Sequence, residues 1–242
     1  MTYHIHIKGQ VQGVGFRPFI YRLAQKMNLN GWVKNTADGV HIEVNGAGKT
    51  IDNFVKCITK EIPPQAKIEH LTRQEVPPQY QRHFEHFSIL ESEQLGHKQL
   101  KLTPDFALCP NCKTALLDSN NRRFGYGFIT CTDCGPRYSI QTQTPFDRHT
   151  TTMKDFEVCP SCKLEYNNPT DVRFYSQTNS CEACGIKLTL FDKNKAIIET
   201  TEPINEVVTA INEGKIVAIK GIGGYLLLCN ATNALVNKSA SA

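Results

Sequence analysis

Two closely similar stretches lie fifty residues apart in the sequence, Cys109-Pro-Asn-Cys112-Lys113 and Cys159-Pro-Ser-Cys162-Lys163. Each is followed, after 18 further residues, by a second CxxC pair, and 24 residues separate the two halves. The same shift superimposes Arg123-Phe124 on Arg173-Phe174. We therefore infer an internal duplication of one small unit. The eight cysteines of this array are Cys109, Cys112, Cys131, Cys134, Cys159, Cys162, Cys181 and Cys184.

The spacing of these cysteines is typical of zinc sites. Zinc binds four thiolates tetrahedrally at about 2.3 Å, and two cysteines with two residues between them can hold one ion from a tight turn. Eight cysteines therefore predict two structural zinc ions with no open coordination position. A disulfide framework would require an oxidising compartment, of which the N-terminus gives no sign. The spacing leaves two pairings open, one within each half of the array and one across the halves.

Composition and the N-terminus indicate a soluble protein of a reducing cytosol. The 242 residues suffice for two domains and part of a third, and the net charge of +4 is too small to indicate nucleic-acid binding by itself. The N-terminus lacks the apolar segment of a secretory signal, and no apolar run approaches the ~20 residues that span a bilayer. We therefore predict a cytoplasmic protein without a membrane partner.

The first 91 residues alternate between strand and helix patterns. Strands are predicted at 3–8, 32–35 and 40–44, and apolar stripes at helical spacing run through 19–27 and 51–62. Further extended segments are predicted near residues 67–76 and 84–90. The order βαββαβ predicts a ferredoxin-like sandwich and thus an α+β fold.

Two histidines share one face of the first predicted strand. His4 and His6 are two residues apart, so their side chains point the same way. Such a pair could hold a metal ion, although the solvated face of an antiparallel sheet is the more common setting.

A glycine-rich loop connects this strand to the first helix. Gly13 and Gly15 permit backbone geometries that turn successive amides inward as an anion-binding nest, and the helix N-terminus adds its positive dipole end. Arg17 could then grip two phosphate oxygens with its planar guanidinium. The loop alone would equally suit an ordinary tight turn with a surface arginine. The candidate phosphate-binding residues are Gln12, Gly13, Val14, Gly15, Phe16 and Arg17.

Two stretches of this segment resemble the signatures of the acylphosphatase family. They are Gly9-x-Val11-Gln-Gly-Val-x-Phe-Arg17 and Gly31-Trp-Val-x-Asn35-x-x-Asp38-Gly39. The resemblance implies that Arg17 binds the phosphoryl group and that Asn35 positions the attacking water. An acyl phosphate expels a carboxylate or carbamate, which needs no general acid, so positioning and charge stabilisation can carry most of the rate.

The cysteine array also contains basic and aromatic residues, which allow two interpretations. Such residues around zinc could bind nucleic acid. We prefer the view that they pack on the metal turns and brace the loops, because the charge is not concentrated enough for a backbone-tracking stripe. Nucleic acid is therefore not the expected partner.

The combined layout resembles the HypF family, carbamoyltransferases of NiFe-hydrogenase maturation. Residues 128–137 (Phe-Ile-Thr-Cys-Thr-Asp-Cys-Gly-Pro-Arg) and 145–148 (Pro-Phe-Asp-Arg) match its motifs. The second half departs from the family at Val172, where an arginine is usual, at Tyr175, where a histidine is usual, and at Ile186, where Gly-Pro is usual. These departures leave the eight cysteines intact.

The last fifty residues are expected to begin a third domain. A helix is predicted over 203–212 and strands over 215–220 and 225–229. By themselves the strands would make a simple hairpin, but residues 216–225 resemble the opening of the YrdC-like nucleotide-binding domain of HypF. That resemblance makes Lys220 a weak nucleotide-binding candidate, and Asn230 replaces a common aspartate. The predicted domains are 1–91 (acylphosphatase-like), 92–104 (linker), 105–192 (two zinc fingers) and 193–242 (an incomplete α/β YrdC-like segment).

The resemblance implies a sequence of reactions in the full-length family. Carbamoyl phosphate is hydrolysed at the acylphosphatase site, carbamoyl-adenylate is made with ATP in the YrdC-like domain, and the carbamoyl group passes to HypE on its way to a cyanide ligand of the hydrogenase. This chain is expected to perform only the hydrolysis, either as a fragment or because its reading frame was lost. The alternatives are a zinc-finger module that binds nucleic acid or unfolded protein, and an inactive truncated product.

Overall fold

Alternating apolar residues build the first strand of the chain, β1 (Thr2–Gln10), whose Tyr3, Ile5 and Ile7 are buried. The computed structural model describes residues 1–94, 101–233 and 236. The chain divides into two compact units, Met1–Ile186 and Lys187–Ala242. Residues 95–100 of the predicted linker lie outside the described residues.

The first unit begins with the predicted ferredoxin-like sandwich. Its sheet has the strand order β4-β1-β3-β2-β5, in which the first four strands are antiparallel neighbours and β5 pairs parallel with β2. This confirms the βαββαβ prediction, and the extended segment predicted near residues 84–90 forms the short edge strand β5. The elements are α1 (Phe16–Lys26), β2 (Asn30–Thr36), β3 (Gly39–Asn45), α2 (Gly48–Lys60), β4 (Lys67–Glu75) and β5 (Phe87–Ile89).

Both helices pack on the same apolar core. Ile20 and Leu23 of α1 and Phe54 and Ile58 of α2 are buried with the inward residues of the sheet. Helix α1 begins two residues earlier than Pro18, because Phe16 is buried in the core and Pro18 is tolerated in a first turn, where no N–H is needed.

The cysteine region (residues 105–186) follows within the same unit. Each half contains one short helix that begins with the proline after the first cysteine, α3 (Pro110–Leu117) and α4 (Pro160–Asn167). Proline suits a first helical position because its ring presets the backbone and no N–H is needed. Residues 138–140 and 148–155 between the halves contain three single 3₁₀ turns.

The second unit contains short elements with little buried surface. Two hairpins, β6 (Leu190–Phe191) with β7 (Ile197–Ile198) and β8 (Val217–Lys220) with β9 (Tyr225–Leu228), accompany helix α5 (Pro203–Asn212). No residue of α5 is buried. Among the described residues, no helix is both long and apolar enough to span a membrane.

Candidate active site and metal centres

The anion loop (residues 10–17) ends at the N-terminus of α1. Gly13 and Gly15 have φ values of 69° and 71°, in the left-handed region that side chains other than glycine rarely adopt, and Gly15 is the N-cap of the helix. The first N–H groups of an α-helix have no intrahelical acceptor, so they are available to an anion. Arg17 lies in this first turn, within the helix rather than in the loop before it.

Arg17 and Asn35 lie side by side beneath this loop. With its amide oxygen facing the guanidinium, Asn35 accepts hydrogen bonds from Arg17 Nε at 3.2 Å and Nη2 at 3.3 Å. The exposed fractions are only 6% for Arg17 and 1% for Asn35. The two residues that the sequence singled out for phosphoryl chemistry are therefore brought together, although they lie on different elements, α1 and β2.

The cysteine region supplies further partners of Arg17. Asp147 Oδ1 accepts from Arg17 Nη2 at 2.6 Å, and the carbonyl oxygen of Phe146 accepts from the same nitrogen at 3.2 Å. The ring of Tyr175 lies 5.0 Å from the guanidinium carbon. Sequence reasoning missed Asp147, whose only signal was its position in the 145–148 motif. Tyr175, where the resemblance led us to expect a histidine, lies directly at the candidate site.

In three other residues of the predicted phosphate loop, the side chain is already in contact with the rest of the protein. The side chains of Val14 and Phe16 are buried in the apolar core. The Gln12 amide donates to the carbonyl oxygens of Thr36 (2.8 Å) and Gly39 (3.0 Å) and accepts from Phe146 N (3.2 Å). These three residues could therefore offer an anion only their backbone.

Arg137 connects the anion loop to the cysteine region. Its Nε donates to the carbonyl oxygen of Gly13, and Nη2 donates to the carbonyl oxygens of Cys131 and Thr132, both at 3.0 Å. Burial lowers the pKa of Arg137. A cavity of about 30 Å³ lies at this junction, roughly the space of two water molecules. Its lining includes Gly13, Arg17, Asn35, Arg137, Phe146 and Tyr175.

The eight cysteines of the array form two clusters, each within one half. Cys109, Cys112, Cys131 and Cys134 form the first cluster, and Cys159, Cys162, Cys181 and Cys184 form the second. Their nearest sulfur pairs are separated by 3.6–3.8 Å. A tetrahedral ion with bonds of about 2.3 Å requires sulfur separations of about 3.8 Å. The donor sets therefore fit zinc, and the crossed pairing is not the one adopted.

Two arginines related by the duplication reach from one half to the cluster of the other. Arg123 Nη2 lies 3.4 Å from Cys162 Sγ, and Arg173 Nη2 lies 3.8 Å from Cys112 Sγ. Such hydrogen bonds offset the negative charge of metal-bound thiolates. Glu165 accepts hydrogen bonds from Arg122 and Arg123 beside the second cluster. Burial opposes the ionisation of Glu165, but these hydrogen bonds lower its pKa to about 2.

The arginines of this region are thus engaged with the protein itself. Arg148 donates to the carbonyl oxygens of Gln177 (3.1 Å), Asn179 (2.9 Å) and Phe156 (2.8 Å). Arg123 donates to the carbonyl oxygen of Ser180 at 2.8 Å. This arrangement favours the bracing interpretation over nucleic-acid binding. Lys220, the weak nucleotide candidate, is exposed at the end of β8 in the second unit.

Sequence families match both parts of the first unit. The model of the acylphosphatase family matches residues 3–89, and that of the HypF finger matches residues 108–141 and 158–191. The second match covers each half of the cysteine array once, as the internal duplication predicts.

Individual relatives extend the similarity to nearly the whole chain. The carbamoyltransferase HypF of Synechocystis sp. is 48% identical over 233 residues, which are 96% of this chain and 30% of the relative. An acylphosphatase of Burkholderia lata is 39% identical over 87 residues, 36% of this chain and 86% of the relative. The crystal structure of full-length HypF in its phosphate- and nucleotide-bound form superimposes with a TM-score of 0.90 at 39% identity, covering 98% of this chain and 30% of that one. The chain thus spans about a third of the length of the HypF proteins it matches.

Proposed function

This chain belongs to the HypF family and carries an acylphosphatase domain, and from that premise we propose that it hydrolyses acyl phosphates, carbamoyl phosphate in particular, at Arg17 and Asn35. The observation that carries the proposal is the contact between these two buried side chains at the N-terminus of α1. An isolated surface arginine beside a tight turn would have neither this burial nor this partner.

The chemistry follows from charge and position. Arg17, the amides of the anion loop and the positive end of α1 bind the phosphoryl oxygens. Asn35 orients a water whose oxygen attacks phosphorus while the bond to the acyl oxygen breaks, and the carboxylate or carbamate leaves with the electron pair. The proton of the water passes to solvent. A good leaving group needs no general acid, so these residues suffice for the reaction.

Replacing Asn35 with alanine tests the proposal directly. We expect phosphate release from carbamoyl phosphate and acetyl phosphate to fall by a factor on the order of 10² to 10³, because the water loses its orientation and one charge-stabilising dipole is removed. Asn53→Ala on the exposed face of α2 serves as the matched control. Thermal unfolding of both variants shows whether they are folded. An Asn35→Ala variant that folds and hydrolyses at the wild-type rate would contradict the assignment.

The contact of Asp147 with Arg17 leads to a second prediction. The Asp147 carboxylate accepts a hydrogen bond from Arg17 Nη2 and so competes with substrate for that nitrogen. Its negative charge also repels an incoming phosphoryl dianion. The substitution Asp147→Asn keeps an acceptor oxygen at this position and removes the charge. We expect the KM for acyl phosphates and the inhibition constant of inorganic phosphate to fall about tenfold, or about 1.4 kcal/mol. Asp155→Asn, which alters an exposed carboxylate of the same region, is the control. A rise of both constants would show that Asp147 aids binding instead.

For the longer proteins that this chain matches, we propose the later steps as well. Carbamoyl-adenylate would form with ATP in a YrdC-like domain, to which Lys220 would belong, and the carbamoyl group would pass to a HypE-like acceptor in hydrogenase maturation. The two cysteine clusters would hold structural Zn²⁺ with all four positions filled. The reactions would take place in the cytoplasm.

A further inference from the structure

A cluster of histidines lies on the sheet face away from the two helices. His6 on β1 and His41 on β3 are direct cross-strand partners, and their rings stack with centroids 4.0 Å apart and planes inclined by 18°. His4 stacks on His41 as well, at 5.1 Å. Asp38, in the turn between β2 and β3, faces both His6 and His41. Because the side chains of His6, Asp38 and His41 are only 17–21% exposed, they form a sheltered group rather than a freely solvated face.

The possible metal-ligand atoms of His6, Asp38 and His41 lie close together. His41 Nε2 lies 3.0 Å from Asp38 Oδ1, and His6 Nε2 lies 3.5 Å from Asp38 Oδ2. All three residues can offer one ligand atom within 4.8 Å of the others. A tetrahedral ion bound at 2.0–2.1 Å requires ligand separations of about 3.3 Å. Small side-chain rotations therefore suffice to place an ion among them.

The surroundings hold these side chains in place. Thr36 Oγ1 donates to Asp38 Oδ1 at 2.6 Å, which orients the carboxylate. At position 39, a Cβ would come within 3.2 Å of His6 Nε2, so glycine leaves the space through which this ring reaches Asp38. Thr36 and Gly39 thus leave the Asp38 carboxylate and the His6 ring facing each other.

His4 supplies the partner that a metal-bound histidine needs. Without an ion, the ionised Asp38 accepts from His41 Nε2–H, so His41 Nδ1 accepts from His4 Nε2 at 2.9 Å. When an ion takes His41 Nε2, the proton of that nitrogen leaves to solvent and His41 Nδ1 receives the proton that His4 Nε2 held. His4 regains a proton from solvent at its Nδ1, so its Nε2 lone pair now accepts from His41 Nδ1–H. Ligating histidines almost always donate their other ring N–H to an acceptor such as a carboxylate, a backbone carbonyl or water, and here His4 Nε2 would be that acceptor. The His4 contact thus serves either tautomer.

From this geometry we propose that His6, Asp38 and His41 form a third metal site of this chain, for a divalent first-row transition ion. Two imidazoles and one carboxylate suit Zn²⁺ or Ni²⁺, whereas Mg²⁺ and Ca²⁺ require mainly oxygen ligands. Three protein ligands leave the fourth position to water. The site is therefore distinct in chemistry from the two all-sulfur clusters, which have no open position.

The proposed site is connected to the anion loop. Gln12 donates from its side-chain amide to the carbonyl oxygens of Thr36 and Gly39, which flank Asp38 in the turn. Asn35 is the residue immediately before Thr36 on the same strand. An ion bound at Asp38 would therefore hold residues 35–39 in place. This segment contains Asn35 and the two carbonyl oxygens to which Gln12 donates.

The test uses the untagged 242-residue chain with zinc in both cysteine clusters. After a mild chelator has removed loosely bound metal, NiCl₂ is titrated by calorimetry and the bound nickel and zinc are counted by mass spectrometry. We expect one nickel ion to bind per chain while both zinc ions are retained. His6→Ala and His41→Gln should each weaken nickel binding at least about tenfold, and His4→Ala should weaken it about tenfold through the lost hydrogen bond.

Two further measurements keep the test decisive. His70→Ala, which removes an exposed histidine on β4, should bind nickel as the wild type does. Nickel should raise the thermal midpoint of the wild type but not that of His6→Ala, since only a folded site binds the ion. Equal nickel affinities for the wild type and both ligand variants, or the absence of a third ion from the wild type, would overturn the proposal.

Discussion

Replacing Arg17 with alanine is expected to lower the rate of phosphate release from acyl phosphates by a factor on the order of 10³, comparable to the loss of an arginine that stabilises a phosphoryl-transfer transition state. Arg17 is the positive side chain at the centre of the candidate site, and it is 6% exposed. Its removal leaves the loop amides and the helix dipole, whose partial charges cannot replace a guanidinium that binds two oxygens at once.

A graded series separates charge from geometry at this position. Arg17→Lys keeps the positive charge but loses the planar fork, so we expect activity between those of the wild type and the alanine variant. Arg73→Ala removes a partly exposed arginine that pairs with Asp52 on the same domain and should leave the rate unchanged. Phosphate release from carbamoyl phosphate and acetyl phosphate is the measurement. Equal rates for wild type and Arg17→Ala would exclude this site as the place of hydrolysis.

Local patterns in the sequence were sufficient to predict the first domain. The alternation of Tyr3, Ile5 and Ile7 and the two helical stripes fixed the strand and helix types, because each element buries one face against the same core. The boundaries shifted by a few residues, as at Phe16. The predicted helical stripe begins at residue 19, whereas α1 begins at Phe16, whose aromatic ring is buried in the core.

Such local patterns could not predict contacts between residues that are far apart in the sequence. Asp147 is 130 residues from Arg17, and neither residue carries a local signal for the other. The same holds for Arg123 and Cys162, whose contact depends on how the two halves pack. The metal pairing also stayed open, since the spacing within CxxC pairs satisfies either arrangement. Packing decides it in favour of one cluster within each half.

The second large effect concerns the metal ligand Cys162. Its sulfur is buried and accepts hydrogen bonds from Arg122 at 3.1 Å and Arg123 at 3.4 Å. We expect a Cys162→Ser chain to retain one zinc ion instead of two. The second half of the cysteine array, which holds the second cluster, should lose its fold. Structural zinc contributes about 10–16 kcal/mol in zinc-finger peptides, far more than this small segment can replace by other contacts. Cys57→Ser on α2, which alters a half-buried cysteine outside both clusters, should retain both ions.

The effect should be confined to one part of the chain, because the first domain has its own core. Among the described residues, that core is built from residues 3–89, and Phe106 alone is added from beyond them. The single tryptophan, Trp32, lies on β2, so its fluorescence reports this domain alone. We expect the Cys162→Ser variant to show less ordered structure than the wild type by circular dichroism before heating, whereas the thermal transition detected by tryptophan fluorescence should stay close to that of the wild type.

Loss of the second half should also change the candidate active site in a defined direction. Arg148 holds the segment next to Asp147 through the carbonyl oxygens of Gln177 and Asn179, and Tyr175 covers Arg17. When these residues unfold, Asp147 is released from the guanidinium, so the KM for acyl phosphates should fall as it does for Asp147→Asn. Metal content and KM together test this: a variant that keeps two zinc ions contradicts the ligand assignment, and one that loses all hydrolysis contradicts the independence of the first domain.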